Sequence, residues 1–196
     1  MSTSRRDTLT DGIITLHRYR VEDAADVFAG ALESVAEIHP WMPWCHPGYE
    51  LSETQAWASF AIAQWDADRQ FEFVIRTISG EQIGSGGINS LHDAHPLANL
   101  GYWIRTSQTR KGYATRATRL LAEFAFRDLG LQRVEIVAAV GNLPSQRVAE
   151  KAGATREGIL RNRLVIHGTP HDAVGYSFVP GDFPPSATWQ RQLPTS

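Results

Sequence analysis

Residues 100–121 read LGYWIRTSQTRKGYATRATRLL, and this stretch decides the fold. The apolar and aromatic run from Asn99 to Arg105 predicts a β-strand. A short basic turn follows. From Tyr113 to Leu129 the spacing becomes helical, with Ala114, Ala117, Leu121 and Phe124 on one face and Leu120 widening it. The first N–H groups of such a helix have no partners, and the helix dipole favours an anion beside them. Gly112 allows close approach of the backbone to a ligand, and Arg110 and Lys111 add positive charge. The pattern suits a phosphate or pyrophosphate, with an ordinary helix start as the alternative. Other phosphate and nucleophile motifs are missing. There is no G-x-x-x-x-G-K-[S/T] and no G-x-S-x-G, and Gly84, Gly86 and Gly87 lack the dinucleotide-binding spacing.

The charge pattern around this stretch is uneven. The chain has 196 residues and a formal net charge of −2, from 19 Lys plus Arg and 21 Asp plus Glu. Yet residues 7–104 carry −10 and residues 105–163 carry +7. Arg105, Arg110, Lys111, Arg116 and Arg119 fall in a run with no acid. An acidic half joined to a basic segment suggests two ligands of opposite charge, against the plainer reading of a solvated surface. The near-neutral total argues against a nucleic-acid binder. The length suits one domain, and 42% hydrophobic residues are enough to fill a core. No run approaches the ~18 apolar residues of a membrane span, and the start lacks a signal-peptide pattern. Cys45 is the only cysteine, so neither an internal disulfide nor a cysteine cage for zinc can form. A cytoplasmic single-domain protein is expected, with no membrane partner.

The remaining elements follow from periodicity and punctuation. Strands are predicted at 13–17, 71–77, 82–89, 132–140, 158–166 and 172–179. Helices are predicted at 21–32, 52–67 (with Ser52 and Gln55 as a capping box) and 144–152. Residues 39–49, HPWMPWCHPGY, read as a loop or broken helix because proline removes donors and restricts its neighbours. Residues 1–11 read as an extension, 12–182 as the domain and 183–196 as a tail.

At this point the sequence resembles a known family. TRKGYAT, 109–115, is similar to the acyl-CoA pyrophosphate loop of the GNAT superfamily of N-acetyltransferases, of the form Q/R-x-x-G-x-G/A. Gly112 and Ala114 match it, and Thr109 stands in its first position. GNLPSQRVAEKAGA, 141–154, resembles the family's strand–Asn–helix element, and LHRYRVEDAADVF, 16–28, its opening strand and helix. WMPW, 41–44, and the ending EGILRNRLVIHG with HDAVGYSFVP resemble the RimJ/RimL-type branch, which includes acetyltransferases of ribosomal-protein N-termini. The likeness spans roughly residues 12–182, and the order and spacing of its motifs make it specific.

The resemblance implies a fold, a cosubstrate and site residues. The fold implied is α/β: a mixed, mostly antiparallel sheet of six or seven strands with helices on both faces and a splayed central strand pair. Acetyl-CoA is the implied cosubstrate, with no metal. Ile104, Arg105, Arg110, Lys111, Gly112, Tyr113, Ala114, Thr115, Asn142 and Ser145 are its implied binding residues. The implied reaction is direct transfer of acetyl to a primary amine of a protein N-terminus, peptide or small molecule. A homodimer is also implied.

The chemistry needs a proton acceptor for the ammonium, donors for an oxyanion and an acid for the leaving thiolate. The tyrosine that many superfamily members carry seven positions past the Asn is Ala149 here. The RimJ/RimL-type branch has a serine three positions past it, matched by Ser145, whose alternative role is to cap the helix start. The glutamate that some RimL-type enzymes place in the following strand is Leu164 here. Glu72 alternates with Phe71 and Phe73 and is the candidate base, with an exposed strand charge as the alternative. Glu33 and Glu37 are candidates to bind a cationic acceptor, and Trp41 and Trp44 to wall its pocket. Cys45, beside His46, is a candidate for a covalent acyl carrier. His92, Asp93 and His95, like His167, His171 and Asp172, have loose metal-ligand spacing in turns, and no metal is expected. The missing tyrosine and glutamate keep open a second class, a non-catalytic acyl-CoA-binding module. A phosphate-ligand enzyme outside this family is a third.

Overall fold

The computed structural model describes residues 5–92 and 94–183. In chain order the strands are β1 (Thr8–Thr10), β2 (Ile14–Arg18), β3 (Phe71–Thr77), β4 (Gln82–Asn89), β5 (Leu97–Ile104), β6 (Arg133–Ala139), β7 (Thr155–Ile166) and β8 (Thr169–Phe178). The helices are α1 (Ala24–Glu33), the short α2 (Val35–Ile38), α3 (Leu51–Asp66), α4 (Tyr113–Arg127) and α5 (Leu143–Ala152). All eight strands form one sheet in the order β1-β2-β3-β4-β5-β6-β8-β7. Every neighbouring pair is antiparallel except β5 and β6.

The sheet has one strand more than the upper count expected. β1 lies within residues 1–11, read as an extension, and pairs Thr8–Thr10 with Thr15–His17. Three residues with one buried side chain, Leu9, are too short for a periodicity signal. At the other end Phe183, assigned to the tail, is buried against Phe126 and Phe178, and the rest of that tail, 184–196, lies outside the described residues.

Alternation along β3 sorts the two faces. Phe73 and Ile75 pack with Leu16, Leu121 and Phe124 in the core under α4. Trp65, near the end of α3, closes this core with ring centroids 5.0 to 5.9 Å from Phe71, Phe73 and Phe124. Val74 faces the other way, with Tyr19, Val27 of α1 and Ala58 and Ala61 of α3. α3 starts one residue earlier than expected, because Glu53 rather than Gln55 reaches back, accepting the Glu50 N–H at 2.9 Å.

Two features of the centre position the site. The first is the pairing of β5 with β6, which runs only from Leu97 to Asn99 against Arg133 to Glu135. Beyond Asn99, β5 stays on β4 as far as Ile104 while β6 stays on β8 as far as Ala139. The second is the glycine content of β4. A Cβ at Gly84 would sit 2.2 Å from the Trp103 carbonyl oxygen and 2.9 Å from Ile104 Cδ1, so this pairing admits no side chain. We expect Gly84→Ala to lower the unfolding free energy by at least about 1–3 kcal/mol, the usual cost of overpacking, read as a shift in the urea midpoint.

Candidate active site

The turn from β5 into α4 lies where the cradle is expected. Gly112 is the N-cap of α4 at φ +82°, and Arg110 also has positive φ, +63°. Gly112 offers no side-chain cap, and no acid lies in the first turn, so the N–H groups of Tyr113, Ala114 and Thr115 lack intrahelical acceptors. Of the five bases in this region, three are otherwise engaged. Arg105 pairs with Glu33, Arg116 pairs with Asp11, and Arg119 donates to the Ala152 carbonyl. Arg110 and Lys111 have no carboxylate partner among the described residues, and Lys111 Nζ donates to Gln108 Oε1 at 2.7 Å. The basic run therefore divides into three structural cations and two beside the cradle.

Glu33 and Glu37 do not face an acceptor pocket. The Glu33 carboxylate takes the Arg105 guanidinium and the Ser107 N–H, which hold it below the usual carboxylate range against partial desolvation. Glu37 accepts from Thr106 Oγ1 at 3.0 Å, and Ser34 Oγ accepts the Thr106 N–H at 3.0 Å. These residues tie the cradle loop to the end of α1 and to α2. The expected role as acceptor ligands is corrected on that ground, and Arg105 is likewise a loop anchor.

On the α1/α3 face a cavity of about 660 Å³ opens against the unpaired part of β5. Glu72, Gln70 and Asn89 provide polar groups there, and Trp44, Tyr49, Trp57, Phe60 and Trp103 line its walls. Trp41 is absent from this lining and packs instead near Gly141, where a Cβ would lie 3.2 Å from its ring. Glu72 is only 6% exposed, so the solvated strand charge is excluded. Its carboxylate lies over β4, with Oε2 2.5 Å from where a Gly87 Cβ would stand. Gln70 Nε2 donates to it at 2.7 Å. Burial pushes Glu72 above the ordinary carboxylate range, only partly offset by the Gln70 and Asn89 amides.

The gap between β5 and β6 holds the predicted Asn and Ser. Asn142 is the N-cap of α5, and its Oδ1 accepts the Ser145 N–H at 3.2 Å. Ser145 Oγ lies 3.2 Å from the Tyr102 hydroxyl, which also donates to the Ser145 carbonyl at 3.2 Å. Burial pushes the Tyr102 phenol up to about 12. Tyr102 thus spans the opening from β5 to α5, a role that sequence reading missed. Its signal was weak: one aromatic in an apolar strand reads as core. Trp57 and Phe60 were missed too, although two large aromatics three apart on an otherwise polar face of α3 are the kind of exposed pair that marks a pocket.

Other candidates separate cleanly. Cys45 is fully buried with Sγ toward the Ala31 carbonyl, and burial pushes its thiol up to about 11, so a nucleophilic thiolate is disfavoured. His92 Nδ1 accepts the Ala94 and His95 N–H groups, a turn arrangement, while Asp93 lies outside the described residues. Among the described residues no cluster of His, Cys, Asp or Glu could hold a metal, and no helix is long and apolar enough to cross a membrane.

The fold corresponds to a known family. Residues 14–155 match the family described as acetyltransferase (GNAT) domain. The chain belongs to the GNAT acetyltransferases. Among GNAT relatives, the Bacillus subtilis protein named "Putative ribosomal N-acetyltransferase YdaF" is 40% identical over 100 residues, 51% of this chain and 55% of that protein. The B. subtilis protein named "Probable N-acetyltransferase YjcK" is 36% identical over 109 residues, 55% of this chain and 60% of that protein. The match thus spans little more than half the length of these curated relatives. RimJ of Mycobacterium smegmatis, solved with CoA-disulfide, superposes with a TM-score of 0.83 at 27% identity, covering 92% of this chain and 91% of that one. These neighbours support the RimJ/RimL-like branch of the GNAT family.

The anchoring of the cradle predicts a selective effect. Glu33→Ala should weaken acetyl-CoA binding by up to about fivefold, in keeping with the ~0–1 kcal/mol of a partly exposed ion pair. The KM of the amine should change by a smaller factor. Initial-rate kinetics with each substrate varied in turn separate this from an acceptor-binding role, which would move the amine KM more than that of acetyl-CoA.

Proposed function

We propose that this chain is an N-acetyltransferase that uses acetyl-CoA and transfers acetyl directly to a primary amine. The observation that carries this reading is the buried Glu72 carboxylate in a cavity open to the unpaired length of β5. In this reading the N–H groups of residues 113–115, with Arg110 and Lys111, hold the pyrophosphate. Asn142 and the opened β5–β6 edge hold the pantetheine arm, so the thioester lies along β5 and the amine enters from the cavity. The RimJ neighbour's complex with a CoA-disulfide supports the same cosubstrate class.

The proton inventory is simple. An amine arrives as an ammonium with a pKa of about 8 to 10. Glu72 takes one proton from it, directly or through one water. Burial favours this transfer twice: it raises the carboxylate's proton affinity and disfavours the ammonium. The freed nitrogen pair forms the C–N bond at the thioester carbon. Backbone N–H groups of β5 that β6 no longer pairs are available to its oxyanion. The C–S bond then breaks, and sulfur leaves with its electron pair. A serine hydroxyl next to a phenol raised to about 12 is too weak an acid to protonate a thiolate of ordinary pKa, about 8.5, outright. Ser145, whose Oγ accepts from the Tyr102 hydroxyl in this step, therefore stabilises the thiolate by donating a hydrogen bond; as the C–S bond breaks the nitrogen gives up its second proton to water, and the sulfur takes a proton from water. The products are amide, free thiol and one proton. Holding amine and thioester together supplies much of the rate.

Glu72→Gln should lower kcat/KM about 10²- to 10⁴-fold, the range of a general base, measured by thiol release. Stability should not fall at pH 7, since the charged carboxylate is penalised by burial in the fold. In the unaltered enzyme the acidic limb of the kcat/KM–pH profile should lie above pH 4.5, because the rate is lost as Glu72 takes a proton. That limb should vanish in the Gln variant. CoA binding without thiol release for any amine would instead favour an acyl-CoA-binding module.

A further inference from the structure

We propose that the acceptor is a monoamine carrying one bulky apolar group of aromatic size, rather than a polycation or a peptide with a small N-terminal residue. This deepens the N-acetyltransferase reading and rests on it. The argument comes from what the cavity leaves free. Its volume, about 660 Å³, is in the range of small-molecule sites. Its walls are Trp44, Tyr49, Trp57, Phe60 and Trp103. Trp57 and Phe60 stay 37% and 45% exposed, with rings 5.4 Å apart, so a large aromatic surface faces the opening.

The polar groups around these walls are engaged with one another. Tyr19 donates to Ser85, which donates to the Phe73 carbonyl. Thr54 donates to Tyr49, and Asn99 donates to Asn89. Glu53, at the mouth, accepts from the Glu50 N–H and meets His46 at 3.0 Å. Glu33 and Glu37 hold the cradle loop. Glu72 is thus the one carboxylate lining the cavity without a cationic or backbone partner among the described residues. One anion matches one ammonium. A polyamine would bury further charges without partners, and a small N-terminal residue would leave the aromatic walls wet.

The path to Glu72 is also built. Glu72 pairs with Gly87 across β3 and β4, and Gly87 pairs with Gly101 across β4 and β5. These three positions form a row on the cavity side, and two of them carry no side chain. The row clears the space between the carboxylate and the strand along which the thioester lies. It admits a narrow ammonium head while the aromatic walls hold the bulk behind it. Gly101 therefore sets head-group size. A Cβ there meets nothing closer than 3.8 Å, so Gly101→Ala should fold normally while narrowing the passage.

The test uses the full chain with acetyl-CoA and measures thiol release with 2-phenylethylamine, spermidine and an Ala-initiated hexapeptide. The expected result is a kcat/KM for 2-phenylethylamine at least tenfold above the other two. Trp57→Ala should raise its KM about tenfold, and Gly101→Ala should raise it by a larger factor than the KM of acetyl-CoA. Faster turnover of spermidine or the peptide would overturn the inference and leave the enzyme reading intact. Tryptophan fluorescence of the CoA-loaded protein, titrated with 2-phenylethylamine, supplies an independent readout through Trp44, Trp57 and Trp103. A saturable change lost in Trp57→Ala, with no thiol released by any amine, would support the pocket's specificity and overturn catalysis. No fluorescence change and no turnover of 2-phenylethylamine would overturn the specificity itself.

Discussion

The early end of pairing between β5 and β6 is the constraint on which the rest depends. Three residues of parallel ladder, Leu97 to Asn99, hold the two halves of the sheet together. Past them the strands diverge, and backbone groups that a continuous sheet would have satisfied are left for another partner. The divergence is stable because each strand is held on its other side. β5 is committed to β4 through Ile104, and β6 is committed to β8 through Ala139. Tyr102 and Ser145 bridge the opening at the α5 end. The gap is thus a product of two complete pairings, not of one weak one.

The cost of this arrangement appears in β4. Its glycines at 84, 86 and 87 forgo packing and lose more backbone entropy than any other residue would. They are used differently. Gly84 and Gly86 let the β5 backbone come close, since added Cβ atoms would stand 2.2 and 2.8 Å from its carbonyl oxygens. Gly87 makes room for the Glu72 carboxylate. One run of sequence, IGSGGI, therefore serves the strand proposed to hold the thioester from one face and the proposed base from the other.

How far the sequence discloses this depends on the range of the signal. The cradle is local: strand, glycine and helix are contiguous between 100 and 121, and the helix begins at Tyr113 as periodicity predicts. The strands 71–77 and 82–89 are equally legible, because alternation and a Ser-Gly turn lie within the segment. Glu72 was identifiable as pointing away from Phe71 and Phe73, but its burial was not, since burial comes from α3 and from a glycine on a neighbouring strand. Glu33 and Glu37 misled for the same reason. Their charge suggested a cationic ligand, and the cation proved to include Arg105, 72 residues away. The acidic and basic segments are complementary to each other before either meets a ligand. β1 escaped notice because three residues carry no period.

The anchoring of the cradle loop has a further consequence. Glu33 and Ser34 close α1, Glu37 lies in α2, and the chain runs from there directly into Met42 and Trp44 of the cavity wall. Through Arg105, Thr106 and Ser107 the same short segment grips the loop beside the proposed phosphate site. The two proposed ligand sites are therefore joined by about ten residues of chain. A loop that settles on an anion would pull on the segment that shapes the amine pocket. Linkage then makes the influence mutual: whatever factor the first ligand applies to the affinity of the second, the second returns to the first. Order of binding, on this view, is a property of the α1–α2 corner as much as of either pocket.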